Sequence, residues 1–155
     1  MQPIVVAFPV TALGRVEFDA EVMTGDKMSL NTVTFKLDSG SDFTTLGCED
    51  LSLLGYDDEY LRKCKFHNPA LAAGGSSVTL QYIEDVSIKF GDRELQGCRV
   101  FFALGTKLSS LFGSDILKYF NYSVNFDVGE LTLSKTSIAP KLAKDEKPIQ
   151  IYSLG

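Results

Sequence analysis

The residues best placed to do chemistry form one short run, Phe35-Lys36-Leu37-Asp38-Ser39-Gly40-Ser41-Asp42. An apolar, strand-like stretch delivers Asp38 to a glycine turn, so backbone rather than side-chain choice aims its carboxylate. A carboxylate held in this way activates a water as a general base or, when protonated, polarises a carbonyl. Alone, Asp-Ser-Gly is weak evidence, because ordinary turns favour the same residue types. Nucleophilic chemistry has less to draw on. His67 is the only histidine and lies in Lys65-Phe66-His67-Asn68-Pro69, without a triad pattern, so it reads as a surface loop residue. Cys48, Cys64 and Cys98 are odd in number and widely spaced, which fits neither a disulfide framework nor paired zinc ligands. They read as reduced and structural, and no metal is expected. The acidic groups Glu49-Asp50, Asp57-Asp58-Glu59 and Glu84-Asp85 read as helix-start charges or solvated turns, and Asp115 as part of a helix start.

The chain that must position Asp38 has 155 residues, within the range of one domain able to bury a core without disulfides. Hydrophobic residues are 45% of it and charged residues 23%, which excludes a disordered chain. A net charge of -5 with scattered basic residues argues against a nucleic-acid partner. No apolar run approaches the ~20 residues of a spanning helix, so no membrane partner is expected. The apolar start lacks a basic region and carries Pro3 and Pro9, which argues against a secretory signal and makes a cytoplasmic address the simpler expectation.

Glycines and short polar clusters punctuate runs rich in Val, Ile, Phe, Thr and Tyr, the pattern of an all-β domain. Residues 4–8, 15–23 and 32–37 read as strands. In the second, Val16, Phe18, Ala20 and Val22 alternate with charged neighbours, so they should face the core. Residues 48–54 read as a short helix closed by Gly55, and residues 57–64 as a possible second. Residues 78–83, 86–90 and 98–103 read as strands, with residues 91–94 as a tight connection. Residues 114–120 read as a helix, and 122–126 and 130–133 as a hairpin around Asp127-Val128-Gly129. Phe101, Phe102 and Phe112 read as core, and Ile83 as a better candidate to line a pocket. Residues 134–147 read as linker, and 149–154 regain a strand pattern that something must order.

Two further elements lift Asp38 above an ordinary turn. Ser110-Leu111-Phe112-Gly113-Ser114-Asp115-Ile116-Leu117 places two apolar residues and a glycine before a short helix, and Ala72-Ala73-Gly74-Gly75 lies between this run and Asp38. In order and separation these resemble the retropepsin-like (clan AA) aspartic peptidases, of the cellular or bacterial type that is similar to retroviral protease, over residues 16–133. The resemblance implies an acid-protease half-barrel with short helices that forms a homodimer, residues 1–133 being the peptidase domain and 134–155 a linker with a possible interface strand. It implies an endopeptidase that hydrolyses polypeptide substrates with water and needs no cofactor. Asp38 would be the catalytic residue, one per subunit, and the motif occurs once, so two chains would be needed for the dyad. Ser39 and Gly40 would form the active-site loop, Asp42 with Gly74, Gly75 and Ile83 would bind substrate, and Leu111, Phe112 and Gly113 would support the loop. Retroviral enzymes carry an arginine after the glycine, where this chain has Ser114. Residues 47–68 are longer than the viral counterpart, and the strand-like ends at residues 3–8 and 149–154 are candidates for an interfacial sheet. The alternatives are a catalytically inactive peptide-binding module on the same fold, and a regulatory domain held closed by its own tail.

Overall fold

The computed structural model describes residues 2–26, 29–67, 70–71 and 77–154. The polypeptide forms strands β1 (Ile4–Ala7), β2 (Glu17–Met23) and β3 (Leu30–Leu37), then helices α1 (Cys48–Leu53) and α2 (Asp58–Arg62). Short strands β4 (Lys65–Phe66), β5 (Ala70–Leu71) and β6 (Ser77–Val78) precede the long pair β7 (Gln81–Phe90) and β8 (Arg93–Phe102). Strand β9 (Leu111–Phe112), helix α3 (Ser114–Leu117), the hairpin β10 (Phe120–Asn125) and β11 (Glu130–Lys135), and β12 (Gln150–Ser153) complete the chain. The main sheet runs β12-β8-β7-β2-β3-β9, with β4 also on β7, and a second sheet runs β1-β11-β10. The whole is a mostly β, curled half-barrel with short helices.

Alternation explains the curl. Phe18, Ala20 and Val22 of β2 and Val33 and Phe35 of β3 are buried, while their sequence neighbours face outward. Phe18 meets Phe35, Phe90 and Phe112 at ring-centroid distances of 6.3, 6.2 and 5.3 Å. These rings join β2, β3, β7 and β9 into one core, so β9, which carries the Leu-Phe-Gly run, is pinned from inside. Ile4, Val6, Leu131 and Leu133 close the same core from the second sheet.

Three local readings change. Residues 78–83 and 86–90 are not two strands; residues 81–90 form the single strand β7, broken in register by a bulge at Asp85, whose φ is 59°. The polar Glu84-Asp85 pair marks that bulge rather than a turn. Strand β8 starts at Arg93, which is buried and donates to the Gln2 carbonyl at 2.6 Å, so the connection to β7 is shorter than expected. Helix α3 stops at Leu117. The first and last strands pair with strands of the same chain, β1 with β11 and β12 with β8. Residues 136–149 between β11 and β12 are tied down by side chains, described below.

Candidate active site

Asp38 stands at the point where the chain wraps round β9. Strand β3 runs parallel to β9, Lys36 opposite Leu111 and Leu37 opposite Phe112. The ladder extends one residue beyond β3, since Asp38 N–H donates to the Phe112 carbonyl at 3.0 Å. The chain then turns, Ser41 N–H donating to the Asp38 carbonyl at 3.1 Å. It returns along the other edge of β9, where Thr45 and Leu111 exchange N–H···O bonds of 2.9 and 3.1 Å. One segment thus satisfies both backbone edges of a two-residue strand, and the Asp38 carboxylate emerges where the two arms separate. Gly40 N–H donates to Asp38 Oδ1 at 3.1 Å, which fixes the rotamer. Asp38 is partly exposed, and Ser39 and Gly40 are exposed, so the loop tip faces outward.

Gly113 is what lets the loop lie on β9. A Cβ there would sit 2.5 Å from the Phe43 carbonyl oxygen and 3.0 Å from that of Ser41, both backbone atoms. Ser114 N–H donates to the Ser41 carbonyl at 2.8 Å, so the position after Gly113 braces the loop of its own chain. Leu111 is half-buried, and Phe112 is fully enclosed by the aromatic core.

A clamp behind this loop is invisible in the motif pattern. Thr44, fully buried, donates its hydroxyl to Asp115 Oδ1 at 2.7 Å and its N–H to Asp115 Oδ2 at 3.0 Å. The same hydroxyl accepts from Gly113 N–H at 3.1 Å. Burial pushes the Asp115 carboxyl up to about 6, against the opposing pull of the hydrogen bonds from Thr44 and Ile116. Asp115 is therefore more than a helix-start charge: it fastens the loop carrying Asp38 to the helix following Gly113. A hydroxyl-rich Thr44-Thr45 pair after the glycine turn was the available signal, but its partner lies 71 residues away. Below it, Ser110 Oγ donates to the Asp50 carboxylate and accepts from Gly47 N–H at 3.0 Å, tying α1 to the same strand.

Beside the loop lies a cavity of about 620 Å³. Asp42 and Phe43 form its inner rim, Tyr82, Arg99 and Phe101 its floor, and residues 143–149 its outer side. The Phe43 ring is 4.5 Å from that of Phe101 and 4.7 Å from that of His67, and Arg99 lies 4.8 Å over the Tyr82 ring. Asp42 is exposed at the rim, and none of the described residues hydrogen-bonds to its carboxylate. Ile83 is elsewhere: it is 4% exposed, faces Val100 and packs in the main core, while its neighbour Tyr82 lines the cavity. In a strand, adjacent side chains point to opposite faces, so pocket and core exchange with a shift of one residue. Phe102 and Phe112 are core as expected, whereas Phe101 belongs to a smaller cluster at the cavity floor. His67 is half-buried against Phe43 and Phe101 rather than a free surface residue. Gly74 and Gly75 lie outside the described residues. On either side of them, β5 and β6 pair antiparallel, Ala70 opposite Val78 and Leu71 opposite Ser77. Cys48, Cys64 and Cys98 are free thiols. Among the described residues, no helix is long and apolar enough to cross a membrane.

No protein-family model and no curated protein sequence matches the chain. Its structure, however, is similar to the crystal structure of a retropepsin-like aspartic protease from Rickettsia conorii, with a TM-score of 0.58 and 24% identity over 85% of this chain and 89% of that one. The chain has the retropepsin-like fold. The resemblance first read from Asp-Ser-Gly and Leu-Phe-Gly thus extends to the fold that carries them.

Proposed function

We propose that this protein is an aspartic endopeptidase that works as a homodimer, each subunit contributing Asp38. The observation that carries the reading is the double-edged fixing of one outward-facing carboxylate: Asp38 is held by Phe112 and Gly40 and braced from behind by the Thr44–Asp115 clamp. A single carboxylate does not both activate water and protonate or polarise a carbonyl, and two like charges about 3 Å apart do not both ionise, so a pair shares one proton. The ionised Asp38 of one subunit takes a proton from water as that water attacks the scissile carbonyl, which the protonated Asp38 of the other polarises. Collapse of the resulting diol breaks the C–N bond and returns the proton to the amine.

The exposed tip supports assembly through Ser39 and Gly40, with Ser39 bracing its counterpart across the two-fold axis. Substrate binds as an extended strand, its backbone N–H donating to Asp42, with Gly74 and Gly75 as further contacts. Tyr82, Phe43 and Phe101 replace Ile83 as the residues contacting substrate side chains.

The test is cleavage of unfolded casein between pH 3 and 8 by wild type and Asp38→Asn, with the oligomeric state followed by light scattering. A wild-type dimer that cleaves, and a mutant dimer that does not, is the expected outcome. A wild-type dimer as inert as the mutant refutes the reading in favour of a peptide-binding module.

A further inference from the structure

Residues 143–147 and Ile149 border the cavity beside Asp42, and the side chains of the 141–149 segment are mostly exposed. Composition alone makes this a floating linker, yet the body holds it at several points. Lys118 Nζ donates to Glu146 Oε1 at 2.7 Å and to the Lys141 carbonyl at 3.0 Å. Arg99 Nη2 donates to the Asp145 carbonyl at 2.7 Å, and Ile149 N–H to the Tyr119 hydroxyl at 3.0 Å. Glu146 N–H donates to the Ala143 carbonyl at 3.1 Å, closing a turn in which Asp145 takes φ 67°. Asp is one of the few residues that adopt this conformation at modest cost. Pairing of β12 with β8 fixes the far end.

The cavity thus has an aromatic floor and a strap for a wall. The charges beside its floor are already engaged, Lys118 with Glu146, Lys147 with Glu84 at 3.3 Å, and Arg99 with the Asp145 carbonyl and the Tyr82 ring, while Asp42 stays open at the rim. A charged ligand side chain reaching the floor would have to break the Arg99 contacts, whereas an apolar one buries its surface against Phe43, Phe101 and Tyr82. We propose that the cavity is a substrate subsite for a large apolar side chain, and that residues 141–149 are its outer wall and set the size it accepts. This rests on the peptidase reading above, in which Asp42, at the cavity rim and four residues from Asp38, binds the substrate backbone.

Ala143→Trp adds bulk to the cavity wall from an exposed position on the strap, its folding checked by circular dichroism, and Glu146→Gln with Lys118→Met loosens the wall. A peptide library varied at each position among Ala, Leu, Phe, Lys and Asp is assayed for cleavage, and binding of the same peptides to each protein is read by fluorescence anisotropy. Wild type should prefer Leu or Phe at one position away from the scissile bond. Ala143→Trp should raise KM for those peptides about tenfold with kcat unchanged, and the double variant should widen the range accepted. Wild-type cleavage with the same profile in Ala143→Trp overturns the subsite and leaves the peptidase reading intact. No cleavage, but apolar-peptide binding that Ala143→Trp weakens, keeps the subsite and refutes the peptidase. Neither cleavage nor binding overturns both.

Discussion

Thr44→Val keeps the shape of a fully buried side chain and removes only its hydroxyl, which donates to Asp115 and accepts from Gly113 N–H. Losing a hydrogen bond to a charged group costs about 1.5–3 kcal/mol, and leaving the Gly113 N–H buried without a partner costs about 1–3 kcal/mol more. At pH 7.5 the variant should therefore be destabilised by about 3–5 kcal/mol. With a urea m-value of about 2 kcal/mol/M, the midpoint falls by about 2 M. The deficit should depend on pH, because the Asp115 carboxyl is raised from 3.8 to about 6 by burial, opposed by the hydrogen bonds from Thr44. At pH 5 it is mostly protonated in the folded state, and the bond lost is a neutral one worth about 1 kcal/mol. The deficit should shrink by about 1–2 kcal/mol between pH 7.5 and pH 5.

The wild type carries the matching signature. A carboxyl raised on folding binds its proton more tightly in the folded state, so its contribution to stability is greatest below about pH 4 and is lost as pH rises through 6. The loss amounts to at most about 3 kcal/mol, less to the extent that cavity water reaches Asp115. Urea unfolding followed by tyrosine fluorescence at several pH values measures both effects. A Thr44→Val deficit below about 0.5 kcal/mol at pH 7.5, or one equal at both pH values, would refute the clamp.

Gly113→Ala forces a Cβ to within 2.5 Å of the Phe43 carbonyl, so the 41–43 loop must leave β9; a stability loss above about 3 kcal/mol in urea and a fall in cleavage of about 100-fold are expected. Burial alone would raise the Glu84 carboxyl, but hydrogen bonds from Lys65 and Lys147 outweigh it and hold it below its ordinary value of 4.5. Its contribution is present above that value and lost as pH falls through its lowered folded value, so Glu84→Gln should cost about 0.5–1 kcal/mol at pH 7, progressively less in acid and almost nothing in 1 M salt, measured by urea midpoints. Burial, and next the Asp115 carboxylate, push the Cys98 thiol far up, whereas Cys48 is exposed. A thiol reagent at pH 8 should label Cys48 at once and Cys98 only at the rate of opening or unfolding, resolved by mass spectrometry of peptides.

What could be read from sequence is what short-range pattern encodes. The alternation of Phe18, Ala20 and Val22, the Gly55 stop and the apolar pair before Gly113 each act within a few residues, and each appears in place. What could not be read depends on distant partners. Asp115 looks like any helix-start acid until Thr44 is beside it, and Tyr82 and Ile83 differ only in which side of β7 meets the core. The Asp85 bulge is a further case, because a polar pair within an apolar run signals a turn and a bulge alike. The strap was legible as a strand-like end at residues 149–154, but its hold on the cavity depends on Lys118 and Arg99 from other elements.

These long-range ties bear on how one loop would serve the dyad proposed above. Paired carboxylates would have to keep their separation to within a fraction of an ångström while substrate enters and leaves, and a glycine turn is intrinsically the softest part of the chain. The Asp38 loop is hardened by bonds on three sides: Phe112 in front, Ser114 at its turn, and Asp115 through Thr44 behind. All of these partners belong to the same chain. In the dimer proposed above, assembly would then have only to bring two finished halves together. A subunit that folds to a fixed loop before it assembles loses less conformational entropy at assembly. On this reasoning Ser114 in place of an arginine is compatible with the proposed half-site, because its N–H still holds Ser41, and the proposed dimer would make its intersubunit contact elsewhere.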